Sequence, residues 1–330
     1  MLSTPARRRS AVVLALALPL TLASACGESD DETSASGTGG GASSSDFEAF
    51  TVDHAYGTTE ITEQPERVVS LDDQWTDVLL ALDHPPVGYL ANPGAPDGLP
   101  WREGLLTDAT ELTGASELPY EQIAALDPDL IVITYNAPSQ EDYELLSGIA
   151  PTIATLGDGA VDPWQDIAEV AGRLHGVEDE VAALVDGIDA EVAAVRSELP
   201  GLEGASFAFA NYVPGDAVYV LTDAEDGANV AFTQLGLVIP ESLTALATGS
   251  GGRAKISFEE LSRLDTELLA VLANGADPAS IPGFDRLPAV QAGAVTVMDY
   301  VTAVALNTPS PLSVPYGLEA LRPALERVGA

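Results

Sequence analysis

Positive charge is scarce in this chain. Its 330 residues carry 13 basic side chains against 51 acidic ones, a formal net charge of −38, and Lys255 is the single lysine. That balance argues against a nucleic-acid partner, because binding a polyanion needs clustered Lys and Arg to neutralise phosphates. An anionic membrane surface is disfavoured for the same reason. Cysteine is scarcer still: Cys26 stands alone, so no disulfide forms within the chain. The three histidines, His54, His84 and His175, are scattered without ligand spacing, which speaks against a histidine-rich zinc or manganese receptor. No G-x-S-x-G elbow, G-x-x-x-x-G-K-[ST] loop or H-E-x-x-H motif occurs, so the chain reads as a binding protein and not as an enzyme. Apolar residues, in contrast, make up 46 % of the sequence, enough to offset the ordering entropy of a packed core. The length exceeds what one core usually organises, and two domains are expected.

The amino terminus reads as an address. Three arginines, Arg7 to Arg9, precede the apolar run Ala11 to Leu22, which is the length of a signal-peptide core and too short to span a bilayer. The run ends in Ala23-Ser24-Ala25-Cys26. Small residues leading into a cysteine resemble a bacterial lipobox, although Ala23 stands where that motif usually has Leu. The resemblance implies cleavage after residue 25 and acylation of Cys26; the alternative is an ordinary secretory signal cut at the same A-x-A-like site. Residues 1–25 are thus assigned as signal peptide and 26–46, built of Gly, Ser, Thr and acidic residues, as a flexible tether on a lipid anchor. No later apolar run reaches membrane-span length.

From Phe47 onward, short β-branched runs alternate with longer helical patterns, the signature of α/β layering. Arg67–Leu71 reads as a strand, Trp75–Leu82 as a helix and Val87–Tyr89 as the next strand. Glu121–Leu126 reads as a helix feeding the fully apolar strand Leu130–Thr134. Between Asp162 and Leu199, apolar residues from Val181 to Leu199 step by three or four, which predicts one long helical connector. The pattern then restarts at Ser206–Ala210. Tyr120–Asp127 and Phe258–Asp265 match in order at an offset of 138 residues, and Ala81–Val87 matches Gln234–Pro240. The expected organisation is an amino-terminal lobe over 47–161, a connecting helical segment over 162–200 and a carboxy-terminal lobe over 201–330. A cleft between two such lobes is a ligand site before any motif is invoked.

Four segments carry a family resemblance: Pro65–Leu82, Glu117–Ile133, Ile256–Leu272 and Phe284–Tyr300, with Ser310–Leu325 closing the chain. In order, they resemble the substrate-binding proteins of ABC importers that serve ferric siderophores, haem and cobalamin, over about 66–330. The resemblance implies a class III periplasmic-binding-protein fold, in which two Rossmann-like α/β lobes are joined by a rigid interdomain helix and the cleft closes little. It also implies a monomer at the outer face of the bacterial cytoplasmic membrane, delivering its ligand to a permease dimer with its ATPase. No resident cofactor is implied: the ferric siderophore is the cargo, and its iron is held by the chelator. Glu121 and Glu259, one per lobe, match the family's permease-docking glutamates. Helix capping and the helix dipole are the structural alternative for both, and for Glu260, three residues after Ser257, a capping box is the preferred reading.

Loops at the carboxyl ends of the strands line such clefts. They nominate Asp73, Gln74 and Trp75, then Tyr135 and Asn136, with Trp101, Arg102 and Trp164 in neighbouring loops. The second lobe offers Tyr212, the Gly249–Lys255 loop with Arg253 and Lys255, and Tyr300. Aromatics suit a bulky chelate; the alternative is that they are core residues. The acidity of the body favours a neutral or cationic hydroxamate complex over a highly anionic tris-catecholate. Two rival functions remain: the same fold binding haem or cobalamin through a cleft Tyr, or a surface lipoprotein without a transport role.

Overall fold

The computed structural model describes residues 47–114, 117–134, 139–157, 159, 161–223, 226–247 and 252–330. The signal segment, Cys26 and the tether, together with Tyr135, Asn136 and 249–251, lie outside the described residues. The described chain enters through an antiparallel hairpin, β1 (Phe50–His54) and β2 (Gly57–Ile61), which sends Val52 and Ile61 into the core. The first lobe follows as β3 (Val68–Ser70), α1 (Asp73–Ala81), β4 (Gly88–Leu90), β5 (Thr110–Leu112), α2 (Tyr120–Ala125), β6 (Leu130–Val132), α3 (Gln140–Ser147) and β7 (Thr152–Ile153). Its five strands are all parallel, in the order β5-β4-β3-β6-β7.

The predicted single connector is in fact two helices, α4 (Trp164–His175) and α5 (Glu178–Glu198). Gly176 separates them. It sits at φ +69 in the left-handed region, where glycine carries no steric penalty, and its N–H returns to the Gly172 carbonyl. The predicted stripe survives on α5, where Val181, Ile188, Val192 and Val195 are buried. Each such burial stabilises by roughly 1.5–3 kcal/mol.

The second lobe comprises β8 (Phe207–Val213), β9 (Ala217–Leu221), α6 (Val230–Gln234), α7 (Glu241–Thr244), β10 (Arg253–Ile256), β11 (Leu268–Leu272), α8 (Pro288–Ala292), β12 (Val295–Met298), α9 (Tyr300–Asn307) and α10 (Ser313–Gly329). Its sheet order is β10-β9-β8-β11-β12. On one side of the central strand the lobes repeat each other: β3-β6-β7 and β8-β11-β12 are parallel runs. On the other side they differ. Val87 donates its N–H to Val68 and opens β4, whereas Val238 makes a single parallel bridge beside Ser206. The antiparallel pair β9 and β10 then occupies the edge. The counterpart of α2 also differs, because Phe258–Leu264 winds as a 3-10 helix whose Ser257 makes no side-chain cap. The Ser257 hydroxyl instead donates to the Glu260 carboxylate at 3.3 Å, in place of the expected reciprocal capping box.

Strand alternation distributes the core. Val68, Val132, Phe207, Phe209, Leu268 and Ala270 face one cluster that both sheets share with α1, α4, α5 and α10. Val69, Ile131 and Ile133 face the outer core of the first lobe, while Ala208, Ala210, Tyr212, Leu269 and Val271 face that of the second. The lobes are therefore welded through a common interior. At one seam Gly227 donates to the Val161 carbonyl at 3.0 Å, and a Cβ there would lie 2.6 Å from the Asp162 carbonyl oxygen. Backbone against backbone cannot yield, so Gly227→Ala is expected to cost about 1–3 kcal/mol in urea unfolding. Gly187→Ala is the matched control: a Cβ on that exposed glycine of α5 meets nothing within 4 Å, and stability should hold or rise.

Candidate ligand-binding cleft

The carboxyl ends of both sheets open into one cleft of about 1000 Å³. From the first lobe come Asp72 and Asp73 after β3, Asn92 after β4, Glu117 before α2, and Ser139 with Asp142 at the start of α3. The second lobe supplies Phe209, Ala210 and Asn211 of β8, together with Tyr219, Leu221, Arg253 and Leu272. The facing side of α9 adds Tyr300, Val304 and Asn307.

The wall is built on a polar junction behind it. Asp72 caps α1: one oxygen accepts from the Trp75 N–H at 3.0 Å and the other from the Thr134 N–H at 2.5 Å and hydroxyl at 3.0 Å. Burial pushes its carboxyl up to about 6 against those three bonds. One turn on, Asp77 is 1 % exposed and takes three donors: Arg102 Nε at 2.5 Å, Trp101 Nε1 at 2.8 Å and the Ser310 hydroxyl at 2.5 Å. Arg102 also donates to Asp73 Oδ1 at 2.8 Å and to the Asp73 carbonyl at 2.6 Å. Burial alone would weaken the proton affinity of Arg102, but Asp77 and Asp73 outweigh it and hold the guanidinium charged. Gln74 completes the seam by donating to the carbonyls of Pro309, at 2.8 Å, and Asp162, at 3.2 Å.

A second tie crosses the cleft itself. The Tyr300 hydroxyl donates to Asn92 Oδ1 at 3.0 Å, and Asn92 Nδ2 donates to Asp73 Oδ2 at 2.8 Å. The tyrosine ring lies on Gly94, where a Cβ would sit 2.2 Å from Tyr300 Cζ. A larger residue at 94 would push the exposed tyrosine ring aside and disturb its bond to Asn92. On the rim, the Tyr120 hydroxyl, followed by Ser139, holds the Asp142 carboxyl below the usual range.

Of the residues nominated from sequence, Asp73, Arg253 and Tyr300 line the cleft. Trp75, Trp164 and Gln74 do not, being fully buried behind it. Both tryptophans belong to helical core stripes, Trp75-Val78-Leu79-Leu82 and Trp164-Ile167-Ala168-Ala171, at the i, i+3, i+4, i+7 spacing that marks a packed face. Trp101 is held by Asp77 and packs on Tyr316 at 5.2 Å between ring centres, away from the cleft. Tyr212 points to the opposite face of β8 and meets Phe258 at 5.9 Å, because strand alternation gives the cleft its neighbours instead. Lys255 is paired with Asp216 at 2.5 Å outside the wall. Tyr135 lies outside the described residues. Asn92, Glu117, Asp142, Phe209 and Asn211 were missed, although the period-2 rule applied to Phe207–Val213 selects the last two. Glu121 and Glu259 are both exposed, in the first turns of α2 and of its 3-10 counterpart. Among the described residues no group of three or more His, Cys, Asp or Glu is arranged to hold a metal ion.

Asp77→Ala should lower stability by about 3–5 kcal/mol in urea unfolding, since it removes an acceptor from buried Arg102 and from Ser310 together. Asp216→Ala breaks an exposed pair and should leave the transition midpoint in place. Equal losses in the two variants would refute the role given to the junction.

A profile of the family described as "Periplasmic binding protein" matches residues 68–301. The probable siderophore-binding lipoprotein YfiY of Bacillus subtilis is 29 % identical over 201 residues, 59 % of this chain and 59 % of the relative. The petrobactin-binding protein YclQ of the same species is 32 % identical over 156 residues, 45 % of this chain and 47 % of that protein. The chain thus spans about half to three fifths of the length of these two curated relatives. Among solved structures, Streptococcus pneumoniae PiaA in complex with ferrichrome aligns with a TM-score of 0.72 at 27 % identity, over 84 % of this chain and 99 % of that one.

Proposed function

Because the chain belongs to the periplasmic binding protein family, we propose that it is the extracytoplasmic binding component of an ABC importer and takes a ferric siderophore into the interlobe cleft. The observation that carries this reading is the cleft itself. Its volume of about 1000 Å³ suits a bulky chelate, and its wall mixes aliphatic and aromatic surface with amide and hydroxyl groups. Iron is cargo, held by the chelator, which needs no cluster of protein ligands. The ferrichrome-bound fold neighbour and the siderophore-binding relatives support the same reading.

Delivery would use Glu121 and Glu259, which stand exposed on corresponding elements of the two lobes. Paired carboxylates of this kind fit arginine sockets on a two-fold permease, through charge-assisted bidentate bonds. Acylation at Cys26 would hold the monomer at the outer face of the cytoplasmic membrane, and the word lipoprotein in the name of YfiY supports that placement.

Two measurements test the proposal. Equilibrium dialysis of the purified protein against ferric chelates and their iron-free forms should show saturable retention of at least one ferric form and weaker retention of the free chelator; retention of none would overturn the receptor reading. In cells, Glu121→Arg combined with Glu259→Arg should abolish uptake while ligand affinity in vitro is unchanged. Undiminished uptake would remove these two residues from docking.

A further inference from the structure

We propose that this cleft selects uncharged and cationic ferric chelates and discriminates against anionic ones. The inference rests on the receptor reading and adds the charge of the guest. Of 13 basic residues, Arg7, Arg8 and Arg9 precede Cys26, and every one of the remaining ten falls within the described residues.

Arg253 alone among those ten lines the cleft. Its Nη1 lies 3.2 Å from Asp226 Oδ2, a carboxylate whose side chain is 1 % exposed, and its Nη2 donates to Asn307 at 2.9 Å. The guanidinium is neutralised from within the protein. Arg102, behind the wall, is held by Asp73 and Asp77 together. Facing the open space are Glu117, which is exposed, and Asp142, whose partners are hydroxyls and a backbone N–H. The salt bridges of the described residues engage neither of them.

A triply negative complex entering this space would lose hydration beside two carboxylates and gain no uncompensated cation in return. Low-dielectric walls strengthen that repulsion, and the acidity of the whole body extends it to the approach. An uncharged chelate meets no such cost. Asn211 presents a side-chain amide to it, and Phe209 and Leu272 offer apolar surface. A positive tail would find Glu117 and Asp142.

Ferrioxamine B, its N-acetyl derivative and its N-succinyl derivative separate charge from shape, because one ferric trihydroxamate core carries a positive, a neutral or a negative tail. Calorimetric titration of the purified full-length protein should give affinities that fall in that order, by about tenfold from first to last at low salt, and converge as salt is added. Ferric enterobactin, triply negative, should bind at least about 100-fold more weakly than uncharged ferrichrome. Glu117→Gln should narrow the ferrioxamine spread by about threefold while its melting transition stays in place. Tighter binding of the succinyl derivative, or of ferric enterobactin over ferrichrome, would overturn the charge rule and leave the receptor standing. Binding of no ferric chelate of any charge would overturn both.

Discussion

The architecture depends on one buried carboxylate. Asp77 lies on α1 of the first lobe and accepts from Ser310, which belongs to the segment between α9 and α10 of the second lobe. The same carboxylate anchors Arg102, and Arg102 fixes Asp73 at the cleft wall. A buried ion pair gains little net stability over well-packed apolar residues, yet losing one partner is costly because the other charge is stranded. Such a junction therefore acts less as a source of stability than as a constraint on geometry. It sets where α1 meets the second lobe, and with it the width of the cleft that begins one turn away.

That constraint is reinforced by two others of different physical kind. The hydrophobic interior is shared by both sheets, so opening the lobes would expose apolar surface from α1, α5 and α10 at once. Across the cleft, Tyr300 reaches Asn92, and Asn92 is in turn tied to Asp73. A chain of hydrogen bonds runs from α9 across the cleft wall to Asp73, Arg102 and Asp77, and returns to the second lobe at Ser310. Separating the lobes at the buried part of this ring would break the bonds that Asp77 makes with Arg102 and Ser310, which water cannot replace inside the core.

Much of the fold was legible because hydrophobic periodicity reports burial directly. Leu130–Ile133 is apolar at successive positions, and its first three residues form β6, covered on both faces, so the strand is shorter than the predicted Leu130–Thr134; Val181 to Val195 steps helically and packs. Gly176 was the missed punctuation, since a helical stripe on each side conceals a break that only backbone conformation shows. The cleft was legible in position and less so in membership. Loops after strands were the right places to look, but residue type misled: Trp75 and Trp164 were chosen as aromatics, while their spacing placed them in core stripes. Tyr212 failed for a related reason, one residue out of phase with Phe209 and Asn211 on a strand whose two faces serve different purposes. Asn92 carried no sequence signal, because its role arises from a partner 208 positions away.

Scarcity of positive charge, the first property visible in the sequence, ends as a property of the site. Where cations are few and carboxylates surround them, each buried or cleft-facing cation is captured by a local acid: Arg102 by Asp73 and Asp77, Arg253 by Asp226. Capture of this kind is favourable on its own terms, since an unpaired guanidinium in a partly desolvated wall is costly. Its consequence is that positive charge fixes wall geometry, each of these guanidinium groups being held by a carboxylate of the protein. The same acidity that argues against polyanionic partners at the scale of the whole chain thus acts again within the cleft, through the pairing of individual side chains.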